Sequence, residues 1–288
     1  MWMRKLAWRL LAIAATALLG GFLSATMVRL APGFDVDERQ LDARLSAESV
    51  QALRTERAAD RNIAGFYGTY LKNALRGDLG ESRTLQRPVR ELLAERLPVT
   101  FRLAGLGLGL GWAMALSLAV VAAMSRVAAL DVLATVLGGT FLSIPAAVLA
   151  LLFVFADAPA YLAIALIVFP KVFSYTRNLL VESYQMPHII TARAKGIGPA
   201  RILGWHVLPV AGAQLLALAG VSVSIALGAT IPVEALCGVP GIGQLAWQAA
   251  LGRDLPLLVT LTALVTVVTL AANSASEMAG QAMRTQEA

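Results

Sequence analysis

Long runs of apolar residues without a charged side chain recur along the chain, separated by shorter polar segments. A helix needs about 20 apolar residues to cross a bilayer, because each residue advances it by about 1.5 Å. Five runs reach that length, at residues 10–28, 103–125, 132–156, 207–233 and 255–276. A sixth and weaker run, 158–176, contains Lys171, whose long side chain can reach the lipid headgroups from near a helix end. The pattern predicts an all-α integral membrane protein with six transmembrane helices.

Polar residues are concentrated in one segment after the first predicted span, which holds more than half of all charged residues. Within it, residues 37–62 combine dense charge with leucines at helical spacing, which predicts an exposed helix pair. We therefore expect an N-terminal transmembrane helix over residues 1–31 and a largely helical external segment over 32–98. The other five spans are expected in a core over residues 99–283.

Composition supports a membrane protein, because 58% of the 288 residues are hydrophobic and 15% are charged. A soluble domain carries roughly 25% charged residues, so a soluble enzyme, a disordered chain and a nucleic-acid-binding arm are excluded. The single cysteine, Cys237, excludes an intramolecular disulfide and a multi-cysteine metal site, and two histidines exclude a histidine-rich metal cage. Nothing near Cys237 in the sequence would stabilise a thiolate, so we expect a packed thiol.

Basic residues in the short connections predict the orientation, because such residues mark cytoplasmic loops. If six helices alternate, these residues fall on one side: Arg4, Lys5, Arg9, Arg126, Lys171, Arg177, Arg193, Lys195, Arg201 and Arg284. Both termini are therefore expected in the cytoplasm and residues 32–98 outside. The first apolar run could also belong to a signal peptide, but it exceeds the roughly 7–15 residues typical of one, which favours a retained helix.

Glycines give two further predictions inside the apolar regions. In the second predicted span, Gly105 and Gly109 form one small-residue pair and Gly107 and Gly111 another, on opposite faces of the helix. Such pairs let neighbouring helices approach closely, so this helix is expected in the centre of the bundle. Residues 235–252 are uncharged but rich in glycine, which predicts a loop or a re-entrant segment.

The longest predicted cytoplasmic connection lies between the fourth and fifth spans. Pro187 suits the first turn of a helix and Gly196 a left-handed stop, which predicts a short helix over residues 187–195. Pro199 begins a second helix, which Pro209 should separate from the next span. Four apolar residues of the first helix are expected on one exposed surface: Ile189, Ile190, Ala192 and Ala194. Such a surface fits either a plug that docks into another protein's groove or an amphipathic connector on anionic lipid.

Residues 191–196 (TARAKG) resemble the cytoplasmic signature of a known family, the inner-membrane permease subunits of ABC importers for oligopeptides, dipeptides and nickel. The resemblance extends over almost the whole chain. Ser143-Ile144-Pro145 matches in the third span. Other matching residues lie in the external segment and between the fifth and sixth spans: Gly77, Asp78, Gly80, Glu234, Pro240, Gly241, Gly243, Arg253 and Asp254. The resemblance implies the fold of a type I ABC importer permease.

The resemblance also implies that the cytoplasmic loop, residues 185–208, is the coupling loop gripped by an ATPase subunit. The residues expected to carry this contact lie in the signature and around it: Ile190, Thr191, Ala192, Arg193, Ala194, Lys195, Gly196, Arg201, His206 and Pro209. For His206, a structural role beside Trp205 is the alternative.

The third predicted span offers a candidate substrate path. Pro145 cannot donate an intrahelical hydrogen bond, so a kink is predicted beside Ser143. Ser143 and Pro145 either only kink the helix or line the path together with Ala146. The resemblance implies bulkier residues than Ala146 at this position in relatives, so extra space is expected here.

No G-x-x-x-x-G-K-[ST] sequence occurs, so the chain has no P-loop to hold nucleotide phosphates. The resemblance implies that two partner ATPase subunits use ATP and magnesium, and that this chain binds no cofactor. It further implies a second homologous permease subunit and an external substrate-binding protein, in the inner membrane of a bacterium, with membrane lipid around the chain and no nucleic-acid partner. We therefore expect a non-catalytic permease subunit of an ATP-driven, binding-protein-dependent importer for peptides or similar small solutes, working by alternating access.

Two other classes of protein remain as alternatives. An ATP-independent secondary transporter would favour a buried carboxylate for ion coupling and internal repeat symmetry. A membrane-embedded enzyme would need paired acids, a Ser/His arrangement or a metal cluster within the bilayer. The interiors of the predicted spans contain essentially no ionisable residue, which argues against both.

Overall fold

The computed structural model describes residues 2–30, 63–125 and 128–287, and nearly all of these residues are helical. The helix pair predicted over residues 37–62 lies outside the described residues. The described elements, in chain order, are α1 (Trp2–Leu30), α2 (Ile63–Ala74), β1 (Glu81–Ser82), β2 (Arg87–Pro88), α3 (Val89–Ser125), α4 (Ala128–Ser143), α5 (Ala146–Phe155), α6 (Ala160–Tyr184), α7 (Pro187–Ala194), α8 (Pro199–Ile202), a π-helical turn (Leu203–Val207), α9 (Leu208–Leu236), α10 (Ile242–Leu251) and α11 (Leu255–Glu287).

Among the described residues, five helices are long and apolar enough to cross a membrane, and α4 with α5 makes a sixth span if the two cross together. The five are Ala7–Leu30, Val89–Met124, Ala160–Tyr184, Pro199–Leu236 and Leu255–Met283. The all-α membrane architecture predicted from the sequence is confirmed.

The span predicted over residues 132–156 is divided into two helices at its predicted kink. The helices Thr135–Ser143 and Ala146–Phe155 meet at 96°. Pro145 occupies the N-cap position of α5, where its missing N–H group removes no helical hydrogen bond. The predicted kink is therefore a complete break, which is compatible with either a broken span or a re-entrant loop.

The described chain divides into two compact units. One contains the described residues up to Leu97 together with Leu245–Val267, and the other contains Pro98–Gln244 and the described residues from Val268 onward. In the second unit α6 packs against α4, α5 and α9, and more of it is buried than of any other described span. The sequence ranked this span as the weakest because of Lys171, whose side chain remains exposed in the structure.

One of the two predicted glycine faces of α3 is closely packed. A Cβ atom on Gly107 would lie 2.6 Å from the Cβ of Ile164 on α6, and one on Gly111 would lie 2.9 Å from a backbone oxygen of the same helix. By contrast, a Cβ atom on Gly105 or Gly109 would meet no described atom within 4 Å. The central position of α3 is thus supported on one face only.

In the other unit, aromatic side chains of α2 pack against α1 and α11. Phe66, Tyr67 and Tyr70 surround a small core that includes Ala25 and Val259. The Tyr67 hydroxyl donates a hydrogen bond of 2.6 Å to the backbone oxygen of a residue on α1. The Tyr70 hydroxyl lies 2.9 Å from a threonine hydroxyl of α11. These contacts hold the short helix α2 beside the two long helices.

The prediction of a loop over residues 235–252 is wrong for its second half, which forms the helix α10, and the re-entrant alternative stays a prediction. The turn before α10 contains Gly238 with a φ of +66°, a left-handed conformation that favours glycine. The Val239 N–H group donates to the Glu234 backbone oxygen at 3.0 Å, which closes the end of α9. The glycines therefore serve the turn, and the apolar residues after them form a helix.

Candidate functional site

The helix predicted to begin at Pro187 and its glycine stop are confirmed. The helix α7 begins at Pro187 and its C-cap is Lys195. Gly196 follows with a φ of +73°. The Gly196 N–H group donates to the Arg193 oxygen at 2.9 Å, and the next N–H group donates to the Ala192 oxygen at 3.2 Å. This hydrogen-bond pair is the Schellman motif, which requires a left-handed residue where Gly196 stands.

The surface that α7 exposes differs from the prediction. Ile189 is fully buried and Ala192 is 4% exposed, and both belong to the core of their unit. Their spacing of three residues places them on one face of the helix. Ile190 is 59% exposed, and Thr191 and the residues 193–196 are exposed as well. The prediction that Ala192 belongs to the exposed surface is therefore wrong, and a partner would meet the opposite face of α7.

Pro209 does not separate the second loop helix from the next span, as the sequence predicted. From Pro199 to Leu236 the chain forms one candidate span that passes through the π-helical turn. Pro209 lies at the start of α9, directly after the π-helical turn. A π-helical turn inserts one extra residue into the helix, and such turns are frequent at functional sites.

Other predicted loop residues have contrasting environments. Arg201 on α8 is exposed, and Trp205 on the π-helical turn is 78% exposed. The Nδ1 atom of His206 is buried and has no hydrogen-bond partner among the described residues. Arg201 can therefore contact a partner directly, whereas the buried His206 nitrogen favours a structural role.

The predicted path residues lie at the break between α4 and α5. Ser143 and Pro145 are exposed and Ala146 is partly buried. The Ser143 hydroxyl donates to the backbone oxygen of Gly139 at 3.0 Å, so its proton is used within its own helix. Only the lone pairs of this hydroxyl are left for another molecule.

A tight turn follows α2, with Gly77 at a φ of +83° and Gly80 at +76°. The exposed Asp78 carboxylate accepts a hydrogen bond of 2.9 Å from the Gly80 N–H group. This is the local bond of an Asx turn. The carboxylate thus stabilises its own turn.

Asp254 anchors the two-stranded hairpin that follows this turn. Its carboxylate is fully buried and accepts hydrogen bonds from the Ser82 hydroxyl at 2.6 Å and the Thr84 N–H group at 2.9 Å. Arg253, with a φ of +52°, forms the left-handed residue after α10. A Cβ atom on Gly252 would collide with Thr84. Asp254 therefore binds the hairpin to the start of α11.

Glu234 is a fully buried carboxylate near the end of α9. One carboxylate oxygen accepts a hydrogen bond of 2.7 Å from the Thr100 hydroxyl. The other accepts from the N–H groups of Gly243 at 2.7 Å and Gln244 at 3.3 Å. The Thr100 hydroxyl in turn accepts from the Ile242 N–H group at 2.8 Å. Three free N–H groups at the start of α10 are thereby satisfied.

The glycines of this motif are required by close contacts. A Cβ atom on Gly241 would overlap the Glu234 carboxylate, and one on Gly243 would lie 2.6 Å from the backbone of Thr230. Pro240, which precedes them, is exposed. The sequence grouped Glu234, Gly241 and Gly243 only by resemblance, and the structure brings them together. It adds Thr100, for which no local signal indicated a partner 134 residues away.

The single cysteine behaves as a packed thiol. The Cys237 sulfur lies 3.8 Å from the backbone oxygen of Ala150, to which the thiol donates a weak hydrogen bond. Burial raises the pKa of the Cys237 thiol. The thiolate population is therefore small at neutral pH, as expected from the sequence.

Known proteins are similar in sequence to this chain along most of its length. Residues 108–285 match the family described as the binding-protein-dependent transport system inner membrane component. A putative peptide transport system permease protein of Brucella suis is 30% identical over 238 residues, covering 74% of this chain and 76% of the relative. The oligopeptide transport system permease protein OppB of Escherichia coli is 29% identical over 265 residues, covering 84% of this chain and 85% of the relative.

The chain belongs to the family of binding-protein-dependent transport system inner membrane components. It is a multi-pass inner membrane protein and a permease subunit of a binding-protein-dependent importer, as the sequence predicted. Membership of this family indicates a non-enzymatic membrane component. It does not favour the alternatives of a secondary transporter or a membrane-embedded enzyme.

Proposed function

We propose that this permease carries peptides or similar small solutes across the inner membrane in an ATP-driven importer. The observation that carries the proposal is the match to relatives named as peptide and oligopeptide permeases, which covers 74% and 84% of this chain. The chain alternates between outward-facing and inward-facing states, with binding energy from its partners shifting the populations. A peptide has backbone groups that a neutral polar path can satisfy without a fixed charge.

In this proposal ATP hydrolysis belongs to two partner ATPase subunits, which bind ATP and magnesium, and this chain binds no cofactor. A second homologous permease completes the path, and an external binding protein delivers the substrate. The loop 185–208 couples the permease to an ATPase. Support comes from the exposed face of α7, where Ile190 provides an apolar contact beside Arg193 and Lys195. The buried Ile189 fixes α7 to the membrane core, so a push on the exposed face moves the core as well.

The break between α4 and α5 lies on the substrate path in this proposal. Its support is the sharp bend at Pro145 and the small side chain of Ala146 beside it. We expect Ala146→Trp to abolish peptide uptake while assembly and basal ATP hydrolysis are preserved. Val148→Trp, at an exposed position of the same helix, is the matched control. Unchanged uptake in Ala146→Trp would place this residue outside the path.

The proposed orientation has both termini and the coupling loop in the cytoplasm. Cysteines can test it one at a time after Cys237→Ser removes the single native thiol. Leu75→Cys, at a position that is 90% exposed, should react with an impermeant maleimide in right-side-out vesicles. Ala194→Cys, on the exposed face of α7, should react only in inverted vesicles. The opposite pattern would reverse the orientation.

The whole proposal is tested by reconstitution with the partners. The chain should copurify from mild detergent with two ATPase subunits and a second permease. Binding protein loaded with peptide should then stimulate ATP hydrolysis, and empty binding protein should not. Stimulation by a loaded binding protein for another solute, and none with peptides, would contradict the substrate class while leaving the permease assignment intact.

A further inference from the structure

A cavity of about 220 Å³ lies beside α7, where three candidate spans end. Met124 closes the candidate span of α3, Tyr184 closes α6, and Pro199 begins the span that continues into α9. All three line the cavity. Each of these helices is a candidate membrane span by length and apolar composition, so the cavity lies where the ends of three candidate spans come together.

Tyr184 and Arg193 both line the cavity, and the Arg193 guanidinium packs over the Tyr184 ring. The Tyr184 hydroxyl oxygen is buried and has no hydrogen-bond partner among the described residues. The guanidinium carbon of Arg193 lies 5.2 Å from the centre of the Tyr184 ring, and both side chains line the cavity. Native proteins rarely leave a buried hydroxyl without a partner, because its lost contact with water is not compensated. The pair therefore points to a missing acceptor.

The charge around the cavity favours an anionic acceptor. Guanidinium groups bind phosphate and carboxylate through charge-assisted hydrogen bonds. Between residues 177 and 209 the sequence contains one acidic residue, Glu182, and four basic residues. The local field therefore attracts an anion to the side of Arg193.

The remaining walls are apolar, with Met124, Ile197 and Ile202 among them. The volume is below the roughly 300–1,000 Å³ of pockets that enclose a whole drug-sized ligand. It therefore suits a phosphate and the glycerol carbons next to it, with the rest of the ligand outside. Trp205, 78% exposed on the π-helical turn, is a residue type enriched at the membrane interface, where acyl chains continue from such headgroups.

We infer that this cavity binds the phosphate headgroup of an anionic glycerophospholipid, with the Tyr184 hydroxyl and the Arg193 guanidinium as its donors. Basic cavities between transmembrane helices have the chemistry to hold such headgroups. The bound lipid bridges the end of α6 and the coupling helix α7, so it stabilises α7 in its present position. This site goes beyond the proposed function and does not depend on which solute is transported.

The test uses the full chain in neutral detergent and fluorescent phosphatidylglycerol as the probe. We expect Tyr184→Phe and Arg193→Gln each to weaken binding roughly tenfold, because each removes a hydrogen bond to a charged group. Tyr175→Phe and Arg201→Gln are matched controls, since both residues are exposed and neither lines the cavity. Each control should change binding less than twofold.

Competition identifies the source of the phosphate. Unlabelled phosphatidylglycerol should displace the probe, whereas inorganic phosphate at the same concentration should not. Equal displacement by inorganic phosphate would assign the cavity to a free anion and overturn the lipid assignment. Equal binding of phosphatidylcholine, with no effect of Arg193→Gln, would overturn it as well.

A protein occupant gives a different result. If Tyr184→Phe leaves lipid binding unchanged but reduces copurification of the ATPase subunits, the cavity is a protein contact and the inference is wrong. Folding is checked without added lipid, where Tyr184→Phe should melt at or above the temperature of the parent chain. The hydroxyl it removes has no partner among the described residues, so no hydrogen bond is lost.

Discussion

Removing the Glu234 carboxylate should destabilise the start of α10 strongly. In Glu234→Ala, the Gly243 N–H group and the Thr100 hydroxyl both lose their acceptor in a site that is fully buried. Each buried donor left without a partner costs about 1–3 kcal/mol, so the loss should be about 4 kcal/mol. Glu234→Gln keeps the side-chain volume and one carbonyl oxygen, and should lose about half as much.

A double-mutant cycle separates the hydrogen-bonded network from a general packing effect. Thr100→Val removes the hydroxyl that donates to Glu234 and accepts from Ile242. Because both side chains belong to one network, the loss in the double variant should fall short of the sum of the single losses by about 1–3 kcal/mol. Glu182→Ala, at an exposed carboxylate, should change stability by less than about 0.5 kcal/mol.

The assay is reversible unfolding in mixed micelles at increasing fractions of sodium dodecyl sulfate, followed by circular dichroism. Protein levels in the membrane are measured in parallel, so that failed insertion is distinguished from reduced stability. A loss below about 1 kcal/mol in Glu234→Ala, or exact additivity in the cycle, would refute the argument that this buried carboxylate joins α3, α9 and α10.

Three other substitutions or reactions test separate parts of the fold. Gly196→Val should strain the left-handed stop by about 1–2 kcal/mol and reduce copurification of the ATPase subunits, whereas Gly198→Val, at a φ of −65°, should not. Gly107→Ala should lower the unfolding free energy by about 1–3 kcal/mol, because its Cβ atom would lie 2.6 Å from a side chain of α6; Gly109→Ala, with open space around it, should be neutral in the same micelle assay. Alkylation of Cys237 by a maleimide should be slower than that of a small-molecule thiol at pH 7 and should accelerate towards pH 9, since burial raises the pKa of the thiol; equal rates at pH 7 would contradict the packed environment.

Local sequence signals are sufficient to predict the membrane architecture, the ends of α7 and the turn around Asp78. Apolar runs of about 20 residues predict spans because the bilayer leaves no other way to satisfy the backbone. Pro187 and Gly196 marked the ends of α7 because each acts through its own backbone dihedral angles. The turn around Asp78 was predictable for the same reason, since its hydrogen bond reaches only two residues along the chain.

Short-range signals failed where packing decided the outcome. The pattern of α7 showed four apolar residues but did not show that Ile189 and Ala192 would face the core. Pro145 predicted a kink, yet the 96° angle depends on where the two helices find neighbours. Pro209 looked like a helix break, but the π-helical turn before it absorbs the disruption.

The carboxylates between the fifth and sixth spans show what only the tertiary structure determined. The sequence identified Glu234 and Asp254 as motif residues through a resemblance, without partners. Their donors, Thr100 and Ser82, lie 134 and 172 residues away along the chain. A hydrogen bond over such a separation forms only after helices have packed and excluded water, because burial makes an unpaired carboxylate costly. The sequence by itself determined which segments can enter the membrane, and packing determined which polar groups meet.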